Sequence, residues 1–321
     1  MNYKPIIIVA GEPNSIFLEI FFKSCKYKKY KSPLILVCSK KLLLNQMRKF
    51  KFNKKICLID PIKLDKYKLN NKCINLIDIN LDFSKSIKNI KKKSNSYIKE
   101  SFEIALKIIK SGFTNKFLNG PISKKNFLNK KYLGMTEYIS RKYNIHKNAM
   151  LIYNKRLSVC PITTHLPLKS VAQNINKKII IEKIKLIQKF YRENLLIRPK
   201  IAVLGLNPHC ESVDKFNEDE KILKPAVNSA KKLGIDISGP FPADTIFLKN
   251  NRKKYNVIIG MYHDQVLTPI KTLYEYDAIN ITLGLPFLRI SPDHGPNEKM
   301  VGKNLSNPLS LINALTFLDK N

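Results

Sequence analysis

Short apolar runs that close on turn residues and lead into helical periodicity recur along the chain, and this alternation restricts the fold more than any other feature. The first run, Ile6-Ile7-Ile8-Val9-Ala10, lies between Pro5 and Gly11 and leads through Glu12-Pro13-Asn14-Ser15 into an amphipathic stretch at 16–25. Similar runs at 34–38, 56–59, 200–205 and 256–260 are predicted as further β-strands. Helical periodicity over 96–111, 177–193 and 218–232 alternates with them. Strands alternating with helices predict an α/β fold around a largely parallel sheet, in which ligands sit beyond the carboxyl ends of the strands. The lysine-rich segment from 63 to 93 reads as the least ordered part of the chain.

A chain of 321 residues exceeds the size at which one core usually gives way to two, so two domains with a cleft between them are expected. Its 58 Lys and Arg against 24 Asp and Glu give a formal net charge of +34. The surplus is mostly lysine, spread through the chain, as in Lys40-Lys41, Lys91-Lys92-Lys93, Lys124-Lys125 and Arg252-Lys253-Lys254. Abundant Ile and Asn and the absence of Trp fit an A- and T-rich coding sequence, which places lysine at tolerant surface positions. No RNP-type aromatic pattern, zinc-finger spacing or basic region joined to heptads accompanies the charge, so nucleic acid is not expected as a partner. Six cysteines without a Cys-x-x-Cys pair read as reduced thiols. The apolar segment at 6–10 is too brief for a signal-peptide core, and no apolar stretch reaches the roughly 18 residues of a membrane span. A cytoplasmic protein without a membrane partner is expected.

Of five histidines, three stand in short punctuated motifs: Thr164-His165-Leu166-Pro167, Asn207-Pro208-His209 and Tyr262-His263-Asp264-Gln265. The second and third of these follow predicted strands, where an α/β protein places its chemistry. Three neutral imidazoles that converge make a metal site with an open face. Asp264 beside His263, and Asp244 in the proline-stiffened Gly239-Pro240-Phe241-Pro242-Ala243-Asp244, are candidate bases or orienting carboxylates. Thr136, Lys271 and Arg289 are candidates for holding an anion. Neither Gly-x-Gly-x-x-Gly nor a P-loop occurs, and Asp293-His294-Gly295 is a candidate backbone loop for an anion.

Taken together these motifs resemble the 4-hydroxythreonine-4-phosphate dehydrogenase family of vitamin B6 biosynthesis. The matching blocks run in family order: Gly11-Glu12-Pro13, Asn119-Gly120-Pro121-Ile122-Ser123-Lys124, Gly134-Met135-Thr136-Glu137-Tyr138, Thr163-Thr164-His165-Leu166-Pro167-Leu168, Gly205-Leu206-Asn207-Pro208-His209, the segment 239–245, Met261-Tyr262-His263-Asp264-Gln265, and 280–289 with Ser291-Pro292-Asp293-His294-Gly295. The resemblance implies a two-domain α/β/α fold like that of isocitrate and isopropylmalate dehydrogenases. The implied domains are 1–125 with about 270–321, and about 126–269, with the active-site cleft between them. It implies a homodimer with shared active sites, NAD or NADP as cofactor, and a divalent metal (zinc, magnesium, cobalt or manganese) held by His165, His209 and His263. Met135, Thr136, Lys271, Asn280 and Arg289 are implied substrate contacts and Asp293, His294 and Gly295 cofactor contacts, with Asp244 or Asp264 as base. The implied reaction oxidises the secondary alcohol of 4-phosphooxy-L-threonine and decarboxylates the product to 3-amino-2-oxopropyl phosphate. Two other readings are a dehydrogenase of a phosphorylated sugar acid, such as threonate or erythronate 4-phosphate, and a catalytically weakened metal-binding homologue.

The chain departs from the family pattern at four places. Met135 stands where the family usually has His, and Pro296-Asn297-Glu298-Lys299 replaces the usual sequence after Asp293-His294-Gly295. The segments 12–17 and 210–212 lack glycines typical of the family, which makes positive φ harder to adopt there. If the charge is compositional, duplex DNA will bind only at low ionic strength. Retention that persists at physiological salt in a filter-binding titration would instead make the basic surface a functional one.

Overall fold

The computed structural model describes residues 3–81, 87–123, 134–213 and 216–320, with side chains of the helix at 87–110 described from Ser94 onward. The side chains of Lys91-Lys92-Lys93, and Lys124-Lys125 altogether, lie outside that description. The chain divides into two compact units, Met1–Lys131 with Pro286–Asn321, and Tyr132–Leu285.

The first unit starts with β1 (Ile6–Val9), α1 (Phe17–Tyr27), β2 (Leu34–Cys38), α2 (Lys40–Lys49), β3 (Ile56–Leu58), β4 (Ile74–Asp78), α3 (Ile87–Lys110) and β5 (Lys116–Asn119). β1 and β2 are apolar and buried at every position, the pattern of parallel strands covered on both faces. α2 starts on Ser39, whose hydroxyl accepts the Leu42 N–H, a cap that satisfies one of the free amides of the first turn. The segment 63–93, expected to be the least ordered, contains β4, which lies between β2 and β3. Ile74, Asn75, Leu76 and Ile77 are all buried there. The lysines around β4 hid a four-residue buried core from composition-based reading.

The second unit runs through α4 (Met135–Lys142), β6 (Ala149–Tyr153), β7 (Ser158–Pro161), α5 (Lys177–Asn194) and β8 (Ile201–Leu204). A π-helical turn, Asp219–Leu223, then leads into α6 (Lys224–Lys232). β9 (Ile237–Phe241), α7 (Ala243–Ile246), α8 (Lys249–Arg252), β10 (Val257–Gly260), α9 (His263–Tyr274) and β11 (Ile279–Leu283) complete it. Its described strands take the order β11-β6-β7-β10-β8-β9. β7, β10, β8 and β9 are mutually parallel, and β6 runs antiparallel to both of its neighbours. Met150, Val159, Ala202, Ile258 and Val266 form part of one buried cluster in this unit.

The chain returns to the first unit with β12 (Leu288–Pro292) and α10 (Leu309–Lys320). That unit's described strands take the all-parallel order β3-β4-β2-β1-β5-β12. The return falls at 285/286, later than the expected 270, because β11 pairs with β6 along its whole length. The mixed α/β architecture is the one anticipated from the alternating pattern. At the end of β1, Gly11 has φ +80°, and a Cβ there would lie 2.4 Å from the Pro121 carbonyl oxygen. Gly11→Ala is expected to destabilise the protein by about 2 kcal/mol or more, read as a lowered midpoint in urea unfolding with an unchanged slope.

Candidate functional site

In the second unit β7, β10 and β8 lie side by side and parallel, so the segments leaving their carboxyl ends are neighbours. Each of these segments carries one of the three punctuated histidines. Backbone pairing continues past the strands: Ile162 N–H donates to Gly260 O at 2.7 Å and Thr163 N–H to Met261 O at 3.0 Å. The Thr163 hydroxyl also donates to Met261 O, at 2.7 Å. Stitched in this way, the rings of His165 and His263 come within 5.6 Å of each other between centroids, at 38°.

His263 opens α9, and its Nδ1 lies 2.6 Å from Asp264 Oδ1. An ionised carboxylate can only accept, so Nδ1 carries the proton and Nε2 keeps a lone pair for a ligand. His209 is placed differently. It sits exposed in the turn Pro208–Cys210 with φ 57°, and Cys210 follows with φ 62°. Each left-handed non-glycine residue costs about 1 kcal/mol, so the chain tolerates positive φ here without the glycines typical of the family. Among the described residues no group of three or more His, Cys, Asp or Glu side chains is placed to hold a metal ion. Of the three imidazoles, His165 and His263 are neighbours. The left-handed turn carries His209 to an exposed position.

A polar patch forms between α4 and β11. Thr136 is buried, and its hydroxyl lies 3.2 Å from that of Thr282. Asn280 stands two residues before Thr282 on β11 and therefore on the same face. Its Oδ1 is buried and has no hydrogen-bond partner among the described residues. Met135, half-buried, is the first residue of α4. Asp244 is exposed in the first turn of α7, and Lys271 is half-buried in the last turn of α9.

Several residues bearing on the site carried no assigned role in the sequence. Glu137 Oε1 accepts the Thr164 hydroxyl at 3.2 Å, beside His165. A Cβ on Gly134 would lie 2.8 Å from Glu137 Oε2 and 3.0 Å from His165 Cε1, so only glycine lets α4 begin this close to the imidazole. Lys183 of α5 donates to Pro161 O at 3.5 Å. Burial lowers its pKa, opposed by the charges of Cys160 and Glu137. One lysine among 58 basic residues cannot be singled out before the fold partly buries it.

The first unit places its candidates at the ends of β1, β5 and β12. Arg289 on β12 is 2% exposed and donates from Nε to Asn119 Oδ1 at 2.8 Å. Asp293 N–H donates to Ser310 Oγ at 2.9 Å, and His294 Nδ1 lies 2.9 Å from Gly295 O, which can only accept. A side chain at Gly295 would meet nothing within 4 Å. Asn297 takes φ 51°, and Pro296 O accepts the Ile16 N–H, so this segment is docked on the turn after β1. That turn avoids positive φ beyond Gly11: the Ser15 hydroxyl donates to Glu12 O at 2.7 Å and accepts the Phe17 N–H. Its missing glycines therefore carry no strain. Glu12 is buried, accepting from Ser94 Oγ at 2.8 Å and from the Ser123 N–H at 3.4 Å.

Paired imidazoles beyond parallel strands, and a buried patch of hydroxyl and amide groups between α4 and β11, mark the second unit of an α/β protein. Comparison with known proteins narrows this. Residues 29–318 match the profile of the family described as pyridoxal phosphate biosynthetic protein PdxA. The chain is 37% identical over 315 residues to the 4-hydroxythreonine-4-phosphate dehydrogenase of Sulfurihydrogenibium sp. (strain YO3AOP1), covering 97% of this chain and 96% of the relative. It is 33% identical to the protein of that name from Aquifex aeolicus, covering 98% of each. The crystal structure of the Klebsiella pneumoniae 4-hydroxythreonine-4-phosphate dehydrogenase superposes with a TM-score of 0.82 at 27% identity, over 98% of both chains. The chain belongs to the PdxA family.

The buried Glu12 generates a pH-dependent prediction. Desolvation is the largest influence on its carboxyl and raises its pKa, outweighing the hydrogen bonds from Ser94 and Ser123, which lower it. The folded state therefore binds the proton more tightly than the unfolded chain does. The cost of ionising Glu12 is absent below the unfolded-state pKa, grows as pH rises to the folded one, and is fully present above it. Glu12→Gln is expected to raise the thermal midpoint at pH 7, with the gain vanishing towards pH 4. An equal shift at both pH values would remove ionisation as its cause.

Proposed function

We propose that this chain oxidises 4-hydroxythreonine 4-phosphate at its secondary alcohol with a nicotinamide cofactor, NAD or NADP. The resulting β-keto acid loses CO2 to give 3-amino-2-oxopropyl phosphate, a step of pyridoxal phosphate biosynthesis. The observation that carries the reading is the pairing of His165 and His263 in a chain whose relatives bear that activity's name along nearly their whole length.

The donor set suits a divalent cation. His263 offers Nε2 because Asp264 holds Nδ1, which makes Asp264 an orienting group for the ring and not a free base. His165 supplies the neighbouring imidazole, and His209 supplies a third from an exposed turn that a second copy of the chain would complete, as in a homodimer. Zinc, cobalt, manganese or magnesium would, when bound, supply positive charge to the substrate oxygen as it becomes electron-rich.

Asp244, unencumbered on α7, takes the hydroxyl proton. The Asn280 Oδ1 acceptor suits the substrate's ammonium group, and this favours the amino acid over threonate or erythronate 4-phosphate. Thr136 donates to a substrate oxygen from its buried position beside Thr282. Lys271 and Arg289 neutralise phosphate and carboxylate, orienting the molecule from its ends. Met135 provides only apolar contact. The segment Asp293-His294-Gly295, fixed by Ser310 and open at Gly295, fits close backbone approach to a nicotinamide cofactor, which accepts the hydride when bound. No described helix is long and apolar enough to cross a membrane; the metabolic role of the family supports assigning the reaction to the cytoplasm.

NADH formation with 4-phosphooxy-L-threonine tests this reading. Activity is expected to disappear with chelator, return with cobalt or zinc, and fall on the order of 100-fold or more in His209→Ala and His263→Ala. Turnover of threonate 4-phosphate but not of the amino substrate would transfer the assignment to the sugar acid, and chelator-resistant turnover would remove the metal.

A further inference from the structure

Beneath the turn that carries His209 lies a carboxylate for which the catalytic reading has no use. Asp219 has no exposed surface and sits in the π-helical turn before α6. Its Oδ1 accepts the Leu206 N–H at 2.8 Å, and its Oδ2 accepts both the Asn207 N–H and Asn207 Nδ2 at 3.1 Å. Glu218 Oε2 accepts from the same Nδ2 at 3.1 Å, and Asn217 Oδ1 holds the Asp219 N–H at 2.9 Å. Two successive backbone amides just ahead of His209 are thus gripped by one carboxylate. Hydrogen bonds to an ionised acceptor are the strong ones, and those made in a buried place are the costliest to lose.

The local sequence permits this grip. A Cβ on Gly205 would lie 2.9 Å from Asp219 Oδ1 and 2.6 Å from Cys210 Sγ, so the carboxylate and the returning turn both occupy the space of a missing side chain. Pro225 cannot donate a helical N–H, and the widened turn stands just before it. From the other side, Gln265 accepts the Met261 N–H at 2.7 Å and donates to Gly205 O at 2.8 Å. The segment leading to His209 is therefore braced against both the π-helical turn and the start of α9, which carries His263.

We propose that Asp219 is a positioning residue for His209: by clamping the amides of Leu206 and Asn207 it holds the left-handed turn in which the imidazole is presented to the metal. This rests on His209 being a metal ligand. Asp219→Asn replaces one accepting oxygen by an NH2 group that opposes the N–H donors, whereas Asp219→Glu keeps an acceptor-only, charged group.

Cobalt(II) binding, followed by its visible absorption, is compared in the wild type, Asp219→Asn, Asp219→Glu and His209→Ala. Amide hydrogen exchange is followed in the metal-free proteins. We expect Asp219→Asn to weaken cobalt binding about 10- to 100-fold, with Leu206 and Asn207 losing protection before any metal is added. Asp219→Glu is expected to lie closer to the wild type on both measures, and kcat to fall more than KM rises. If Asp219→Asn binds cobalt like the wild type while His209→Ala does not, the positioning role is overturned and the metal reading stands. If His209→Ala itself binds cobalt like the wild type, His209 is not a ligand, and both fall.

Discussion

The parallel alignment of β7, β10 and β8 is the constraint on which the site depends. Because these strands are neighbours and point the same way, three segments far apart in sequence leave the sheet along one edge. The register is specific: Val257 opposes Ser158 on one side and Ile201 on the other. A slip of one residue would exchange the two buried faces of a strand, mismatching the packing of the apolar cluster around Ile258 and Ala202 and displacing His263 together with its partners. Packing of the core and placement of the imidazoles are thus enforced by the same contacts.

Polar groups buried near the strand ends show how that arrangement is kept. Arg289 finds Asn119, Glu12 finds Ser94 and the Ser123 amide, and Thr136 finds Thr282. Each would be costly to bury alone, so each fixes its partners as firmly as an apolar contact would. Asp219 belongs to the same class, with the difference that its partners are backbone amides of the segment leading to an exposed histidine. The π-helical turn, the left-handed pair His209–Cys210 and the glycine at 205 are then parts of one local solution. The departures from family pattern read similarly: the turn after β1 dispenses with glycine because Ser15 organises it, and the turn after β8 accepts the strain.

Much of the fold was legible from periodicity. The runs at 34–38 and 256–260 became β2 and β10, and the pattern at 177–193 became α5. Where reading failed, composition had masked local order or long-range pairing had intervened. β4 lay among lysines, and β11 was drawn into the second unit by β6. The helix expected over 218–232 is divided because Pro225 interrupts its hydrogen-bond ladder.

For the site, the sequence by itself determined the chemical inventory: which residues carry imidazole, carboxylate and hydroxyl groups, and that the motifs follow strands. Side-chain identity and local periodicity are properties of adjacent residues, and one chain of letters holds them completely. Tertiary structure alone decided that His165 and His263 meet, that His209 is exposed in a left-handed turn, that Asp264 is occupied by a ring nitrogen, and that Glu137, Lys183, Gln265 and Asp219 surround the histidine-bearing segments. These relations join residues dozens of positions apart or depend on the rotation of a single turn. They exist only once strand order and register bring those atoms within hydrogen-bonding range.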